Sequence, residues 1–475
     1  MSTFQATFST WLRGAAAIAL LPLAGCVGFS PDGGMTPVVA VTSERLGKDI
    51  VKIGDDGEAA DAFGRAAALL TKPLTVNRAV QIAFLRNRGL QASFHDLGVS
   101  EAEYVRASLP PEPQVSINGV AGQEDVEIVS QVAGDLLALA TLPQRQAIAA
   151  EQFKAAQWRA ASAIMALAAA VSRQFYTAVA AIEQVSFLEA TLSTAKASAE
   201  FAKQLGEAGN LNKLDQARED SFYTEVAAQL ADGRLQAQAE RERLTRLLGL
   251  FGPDISFKLP RALPPLPKRI GTEQDIEATA LRDRLDLKVT RHELDALAGQ
   301  LGLTVATRYV SDISLAVQND TERASPSSPG TNLVRNGAVL NFAIPIYDFG
   351  QSRVTGAREA YLAAASRLAQ KAIETRSQAR EAYTRYRGKY DLAKYYQGRV
   401  LPLQSTILEQ SSLQTNGMLS DVTQLLLDAR TRIAANANAI TARRDFFIAA
   451  VDLNATLMGA GPDVVSGDTS VVSTK

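Results

Sequence analysis

Apolar residues recur through much of the chain with the alternating four- and three-residue steps of a coiled coil. The stretch between Pro143 and Gly206 contains no other proline or glycine. Its clearest run of this spacing is Val171, Phe175, Ala178, Ile182 and Val185. At about 1.5 Å per residue the stretch predicts one helix of roughly 90 Å, which is longer than the core of a globular domain requires. A shorter returning helix is predicted to end at Leu248 and Gly249.

Period-two patterns predict two pairs of β-strands. Val115 and Ile117 alternate with polar neighbours, and a partner strand is predicted to begin at Val126. In the later pair, apolar residues take every second position of two segments: Ile313, Leu315 and Val317, then Leu340, Phe342, Ile344 and Ile346. Ahead of the first pair, Thr75 is suited to cap a helix that runs to about Arg106.

The two halves of the chain carry the same order of elements. Leu85-Arg86-Asn87-Arg88 recurs as Leu281-Arg282-Asp283-Arg284, and Gly209-Asn210-Leu211-Asn212 recurs as Gly417-Met418-Leu419-Ser420. We therefore divide the chain into a first repeat (74–250), a proline-rich linker (251–275) and a second repeat (276–458). Each repeat is predicted to contain an opening helix, two strands, a very long helix, a tight turn and a shorter helix. The predicted fold class is mainly α with a small β part.

In the second repeat, the very long helix is predicted to begin after Gly350 and to turn back at Gly417. Pro402 falls inside it. Because proline has no backbone N–H and its ring collides with the preceding turn, a kink or break is predicted there.

Composition excludes several classes of protein. The 49 basic and 50 acidic side chains give a net charge of −1, so no nucleic-acid partner is expected. One cysteine and two histidines leave little material for a metal centre, and no set of catalytic groups is found. No metal, no catalytic residue and no enzymatic activity are therefore predicted.

The two histidines, His95 and His292, hold nearly equivalent places in the repeats. A repeated structural contact is favoured for them, because Asp96 and Glu293 are their only apparent partners at ligand spacing.

Residues 1–25 have the pattern of a secretory signal peptide, with Arg13 as their one charged side chain. They precede Cys26, and Leu23-Ala24-Gly25-Cys26 resembles the bacterial lipobox. The resemblance implies a diacylglycerol and an N-acyl chain on Cys26, with no other cofactor, and Val27 resembles an outer-membrane sorting signal. The alternative is an ordinary signal peptide followed by an unrelated cysteine.

If Cys26 is acylated, residues 26–73 form an acylated N-terminal segment, and residues 459–475 form a C-terminal tail. We expect residues 27–73 and 460–475 to be extended or disordered.

Several segments together resemble the TolC-type outer-membrane factors, a family of outer-membrane efflux lipoproteins. The segments that carry the resemblance are Leu74-Thr75-Val76, Arg284-Leu285-Asp286-Leu287, Pro345-Ile346-Tyr347-Asp348-Phe349-Gly350 and Leu401-Pro402. The resemblance covers about residues 74–458. It implies a homotrimer in which four transmembrane strands per chain make a twelve-stranded β-barrel, continued through the periplasm by an α-barrel of long antiparallel coiled-coil helices.

The function implied by this resemblance is a passive channel of the bacterial outer membrane. The channel serves a tripartite efflux or type I secretion system, and its partners are a periplasmic adaptor protein, an inner-membrane transporter and outer-membrane lipid. The alternatives are a periplasmic coiled-coil adaptor lipoprotein, a helical envelope enzyme, and a lipoprotein that keeps the fold without opening.

The resemblance also implies a gate at the periplasmic helix tips, where members of the family often place aspartates in the lumen. Asp215 matches that position in the first repeat, but Thr423 holds it in the second, which departs from a gate with two aspartate rings. Asp421 and Asp428 are nearby substitutes. The turn glycines are the stronger candidates because they permit a positive φ in a tight hairpin: Gly206, Gly209 and Gly417.

Overall fold

The computed structural model describes residues 28–121, 125–271, 275–324, 333–416 and 422–461. Cys26, Gly417 and Asp421 lie outside these residues. The chain divides into two units. The first unit contains the chain up to Thr36 together with His95–Trp158 and Lys288–Gln370, and the second contains Pro37–Phe94, Arg159–Leu287 and the chain from Lys371 onward.

Within the described residues there are twelve α-helices and four strands, and the predicted helices and strands of the two repeats occur in the predicted order. The first repeat contains α3 (Val76–Arg86), α4 (Arg88–Ser108), β1 (Gln114–Ala121), β2 (Asp125–Asp135), α5 (Leu136–Ala140), α6 (Leu142–Glu207) and α7 (Lys213–Leu248). The second repeat contains α8 (Ile276–Asp283), α9 (Leu285–Ala306), β3 (Asp312–Ala324), β4 (Leu333–Ala343), α10 (Gln351–Tyr395), α11 (Leu401–Asn416) and α12 (Val422–Leu457). Two further helices precede the repeats: α1 (Thr36–Leu46) and α2 (Asp56–Leu70). The mainly α fold class with a small β part is confirmed.

The four strands of the first unit form one antiparallel sheet in the order β1-β2-β3-β4. The predicted hairpins are joined by pairing of β2 with β3, in which Val132 lies opposite Val317. β4 ends at Ala343, so the predicted continuation of this strand through Ile344 and Ile346 is wrong.

The pairing registers give this sheet one mainly apolar face and one mainly polar face. The mainly apolar face carries Val115, Ile117, Val126, Ile128, Val132, Ile313, Leu315, Val317, Val334, Leu340 and Phe342, together with the polar residues Ser130, Asn319, Thr321, Arg323 and Asn336. The mainly polar face carries Gln114, Ser116, Asn118, Glu127, Gln131, Ser314, Gln318, Asp320, Glu322, Arg335 and Asn341, together with the apolar residues Val120, Val129, Ala133, Ala316, Leu333 and Val339. The face that carries Ile117 and Phe342 is therefore the better suited of the two to an apolar environment.

The opening helix of each repeat is broken, whereas a single helix from Thr75 to Arg106 was predicted. Asn87 is extended, with φ −71° and ψ 113°, and Arg284 has nearly the same angles at the equivalent place, −63° and 124°. The side chain of Asn87 accepts a hydrogen bond from the Leu90 N–H at 2.9 Å and donates one to the Leu247 carbonyl at 2.8 Å. The bend is thus held by the end of α7, a contact that no local pattern encodes.

The segment before the repeats is helical, so the expectation that residues 27–73 are extended or disordered is wrong for α1 and α2. Asp55 caps α2 by accepting a hydrogen bond from the Glu58 N–H at 2.8 Å. In α1, Val38 is buried, and in α2 Ala62 and Ala66 are buried. Burial of these small apolar faces stabilises the helices in spite of their short length.

The helix is irregular just before Pro402, but it does not break there as one of the two predicted outcomes required. α10 passes into a π-helical turn at Tyr396–Val400, and the N–H of Leu401 reaches back five residues to the Tyr396 carbonyl. Pro402 follows as the second residue of α11. The wider turn accommodates the proline ring without ending the helical path.

Candidate functional site at the helix tips

The turn between α6 and α7 in the second unit is tightly built. Gly209 has a φ of +78°, as predicted for a tight helical turn. Its N–H bonds the Gly206 carbonyl at 3.0 Å, and the Asn210 N–H bonds the Leu205 carbonyl at 2.8 Å. Asn212 then caps α7 by accepting from the Asp215 N–H at 2.8 Å.

Gly206 lies within α6, so the prediction of a positive φ for this residue is wrong. A different constraint favours glycine there. A β-carbon at Gly206 would lie 0.9 Å from Nε2 of Gln216, whose side chain crosses the turn from α7. The obstacle to a larger residue at this position is therefore the movable end of a side chain, and not the backbone conformation.

Arg218 connects the two positions that the repeat makes equivalent. Its Nη1 atom lies 3.0 Å from Oδ1 of Asp215, one turn away on α7, and donates a hydrogen bond at 2.5 Å to Oγ1 of Thr423 on α12. The other oxygen of Asp215 accepts from Asn212 Nδ2 at 2.6 Å. The Asp215 side chain is 13% exposed, so within the protomer its carboxylate is paired and largely covered. We call Asp215, Arg218 and Thr423 the tip latch.

Additional contacts join α12 to the hairpin of α6 and α7. Arg430 forms an ion pair with Oε2 of Glu225 at 2.9 Å. Beside it, an apolar cluster draws on both sides: Leu188, Ala195, Phe222, Val226 and Leu230 with Leu426 and Ile433. Burial of these side chains supplies the bulk of the attraction between the tips, and the polar contacts fix the register.

Two carboxylates of the tips are hydrogen-bonded to serines across their own hairpins. Glu219 is buried and accepts from Ser198 at 2.9 Å. Asp428 accepts from Ser411 and, at 3.0 Å, from Gln424. Asp428 is therefore engaged within its protomer and differs from the exposed lumen carboxylate considered as a substitute for Asp215.

Sequence reasoning missed Arg218. The signal that was available is its position three residues after Asp215 on a helix, where an arginine and an aspartate face each other. Its second contact, with Thr423, spans 205 residues and could not be found from spacing. The tip latch therefore adds a polar contact between two helical hairpins that the apolar cluster and the Arg430–Glu225 pair also join.

Away from the tips, His292 of the first unit has a partner that the sequence did not suggest. Its Nδ1 atom lies 2.6 Å from Oε2 of Glu151 on α6, and Asp295 is also close. The prediction that Glu293 is its only carboxylate at ligand spacing is wrong. His95, its counterpart in the first repeat, is exposed.

One helix of the described residues, α6, contains an 18-residue stretch apolar enough to cross a membrane by length and composition, and 50% of that stretch is buried within the protein. The alanine-rich sequence of α6 explains this apolar character. The small alanine side chains also let neighbouring helices approach closely.

No family model matches the chain. Over 337 residues the chain is 25% identical to the cobalt-zinc-cadmium resistance protein CzcC of Cupriavidus metallidurans, a match that covers 70% of this chain and 73% of that protein. Among solved structures it is similar to CusC, with a TM-score of 0.68, 17% identity, and coverage of 81% of this chain and 92% of that one. The outer-membrane channel OprN gives a TM-score of 0.68 at 17% identity, covering 93% of this chain and 97% of that one.

The tips and the sheet thus belong to an architecture shared with known outer-membrane channels. The resemblance drawn from the sequence is confirmed, and the chain has the fold of the TolC-type outer-membrane channels.

Proposed function

We propose that the chain is the outer-membrane channel of a tripartite efflux system, a passive duct built from three copies of the chain. The observation that carries this proposal is the sheet of the first unit, which has a mainly apolar face and two edge strands, β1 and β4, that pair with no further strand among the described residues. A bilayer core offers no partner for backbone N–H and C=O groups, so an open edge is excluded there. Closure by three chains, as the family resemblance implies, pairs every strand of a twelve-stranded barrel.

The exposed side chains of the sheet support this placement. Ile117 is 70% exposed, Val115 67% and Phe342 61%, an arrangement that water disfavours and lipid accommodates. The strands contain 8, 11, 13 and 11 residues, close to the roughly 9–11 residues with which a tilted strand crosses a bilayer. The polar face then lines a water-filled lumen.

The localisation follows from the same fold: the barrel lies in the bacterial outer membrane and the helices extend into the periplasm. The proposed partners are a periplasmic adaptor protein and an inner-membrane transporter that supplies the energy. The relative CzcC is named for resistance to cobalt, zinc and cadmium, which favours efflux over protein secretion and divalent metal cations as cargo. A diacylglycerol and an N-acyl chain on Cys26 would add a second anchor.

We place the gate of this duct at the helix tips. The tip latch and the ion pair of Arg430 with Glu225 hold α12 against α7, and their release would let the hairpins move apart. Within the protomer Arg218 offsets the charge of Asp215, so the proposed gate opens by loss of a contact and does not depend on a free aspartate ring.

Reconstitution in planar bilayers tests this function. A trimeric channel gives discrete conductance steps, whereas an adaptor lipoprotein or a helical enzyme gives none. A silent, monomeric protein would overturn the proposal. The anchor is tested separately by labelling cells with radioactive palmitate, which should mark the wild-type chain and leave the Cys26→Ala variant unlabelled.

A further inference from the structure

Three side chains from two helices of the first unit converge on one point. α9 contributes His292 and Asp295, three residues apart and so on one helical face, and α6 contributes Glu151. His292 Nδ1 lies 2.6 Å from Glu151 Oε2, and one ligand atom of each residue lies within 4.8 Å of the other two. We propose that these three residues bind a divalent transition-metal cation of the Zn²⁺ or Co²⁺ type.

Contacts on both sides of the cluster fix the spacing of α6 and α9. Toward one end, a β-carbon at Gly299 would lie 2.8 Å from Cγ1 of Ile148, so the absence of a side chain there allows a close helix approach. Toward the other end, Lys288 Nζ lies 4.5 Å from the ring centroid of Trp158. The backbones are thus positioned by residues outside the cluster, and a bound ion requires only side-chain adjustment.

The donor set determines the class of ion. One imidazole nitrogen with two carboxylates suits borderline first-row divalent cations, whereas Cu(I) favours sulfur and Ca²⁺ or Mg²⁺ an all-oxygen shell. Two carboxylates also balance the double positive charge. Bonds of about 2.0–2.2 Å place neighbouring ligand atoms roughly 3.3 Å apart, so the short contact between His292 and Glu151 must open by less than about 1 Å. Asp295 is exposed, so water can complete the coordination.

Lys154 competes with a metal ion for the carboxylate of Glu151. Its Nζ atom lies 2.8 Å from Oε1 of Glu151, and its side chain is 50% exposed. Together with His292 it satisfies the Glu151 carboxylate when no ion is bound. A mobile ammonium group can be displaced by a divalent cation, and its removal leaves all three ligands in place. Loss of Lys154 should therefore strengthen metal binding, the opposite of the effect of losing a ligand.

The test is equilibrium dialysis of the full-length, detergent-purified protein, prepared without a polyhistidine tag, against ZnCl₂ at neutral pH. We expect one saturable zinc per chain. His292→Gln, Glu151→Gln and Asp295→Asn should each weaken binding by at least about tenfold, and Lys154→Gln should tighten it a few-fold. The matched control is His95→Gln, which removes the other histidine of the chain and should leave zinc binding unchanged.

The proposal is overturned if the wild-type chain binds no zinc, if His292→Gln and His95→Gln have the same effect, or if Lys154→Gln weakens binding. Should a ligand variant fail to fold, Lys154→Gln still decides the matter because it changes a half-exposed surface residue. The measurement needs no conductance, so its failure and failure of the proposed channel function are separate results.

Discussion

Arg218 and Thr423 join two helical hairpins through one hydrogen bond, from Nη1 to Oγ1 at 2.5 Å. The same guanidinium lies 3.0 Å from Asp215, the counterpart of Thr423 in the first repeat. A threonine at the second position accepts a hydrogen bond without adding a negative charge. Thr423 thus still takes part in the contact, and one arginine serves the equivalent positions of both repeats.

Removing this arginine should favour the open channel. Arg218→Ala deletes the hydrogen bond to Thr423 and leaves Asp215 without its guanidinium partner. Because Arg218 is partly exposed, the loss is expected to be about 1 kcal/mol for each protomer, which corresponds to a roughly fivefold shift toward the open state per protomer. Single-channel recordings in planar bilayers measure it as an increase in open probability.

Arg234→Ala is the matched control for this variant. Arg234 lies on the same helix and pairs with Glu189 at 2.8 Å, but Glu189 belongs to the adjacent α6 of the same hairpin. Its removal should leave open probability unchanged. Equal effects of the two variants would contradict the assignment of the gate to the tip latch.

Two glycines should differ in their tolerance of alanine. At Gly249, φ is +70° and a β-carbon would lie 2.6 Å from the backbone carbonyl oxygen of Arg86, which cannot move away. At Gly206 the obstacle is the mobile end of the Gln216 side chain. Gly249→Ala should therefore cost about 2 kcal/mol or more, and Gly206→Ala less than about 1 kcal/mol.

Thermal unfolding of the detergent-solubilised variants measures this difference. Adding Gln216→Ala to Gly206→Ala should recover the lost stability, whereas adding it to Gly249→Ala should not. A larger cost at Gly206 than at Gly249 would show that the crossing side chain of Gln216 is fixed in place.

Asp283 should make stability depend on pH. The hydrogen bond from Arg282 lowers the pKa of Asp283, burial opposes it, and the hydrogen bond and charge of Arg45 at 3.2 Å lower the pKa further, so that it lies below its ordinary value. A lowered pKa means that the ionised form stabilises the folded protein. This contribution is present above the unfolded pKa of about 4 and is lost as pH falls through the lowered folded value.

Asp283→Asn should therefore destabilise the protein at neutral pH by up to about 1 kcal/mol, and the deficit should disappear in acid. Urea unfolding across a pH series checks this. Asp61→Asn, which changes a 72%-exposed carboxylate 3.8 Å from Arg65, is the control and should have little effect. A deficit for Asp283→Asn that is constant with pH would mean that shape, and not charge, accounts for it.

The elements that sequence predicts best are those whose own pattern determines them. The heptad spacing around Phe175 predicts α6 within one or two residues of its observed ends, and the alternation around Leu315 predicts β3. Pro402 marks the π-helical turn because the missing N–H acts locally. In each case the physical cause lies within a few residues of the feature.

The features that escape prediction depend on distant partners. The bend at Asn87 contains neither proline nor glycine, and it is held by Leu247 at the end of α7. Likewise the partners of Arg218 and His292 lie 205 and 141 residues away. Local propensity gives no information on such pairs, so the latch and the histidine cluster emerge only from the folded chain.

Pairing of β1 of one chain with β4 of the next closes the proposed barrel, and cysteine cross-linking tests this pairing most directly. Ile117→Cys and Leu340→Cys place thiols on the apolar face of the two edge strands. Within one chain the two edge strands lie about 14 Å apart, which is three strand spacings. A bis-maleimide that spans less than this distance can therefore join the two cysteines only if they belong to different chains. The double variant in outer membranes should yield a covalent trimer and each single variant only monomers. Monomers alone from the double variant, or dimers from a single variant, would contradict the closed barrel.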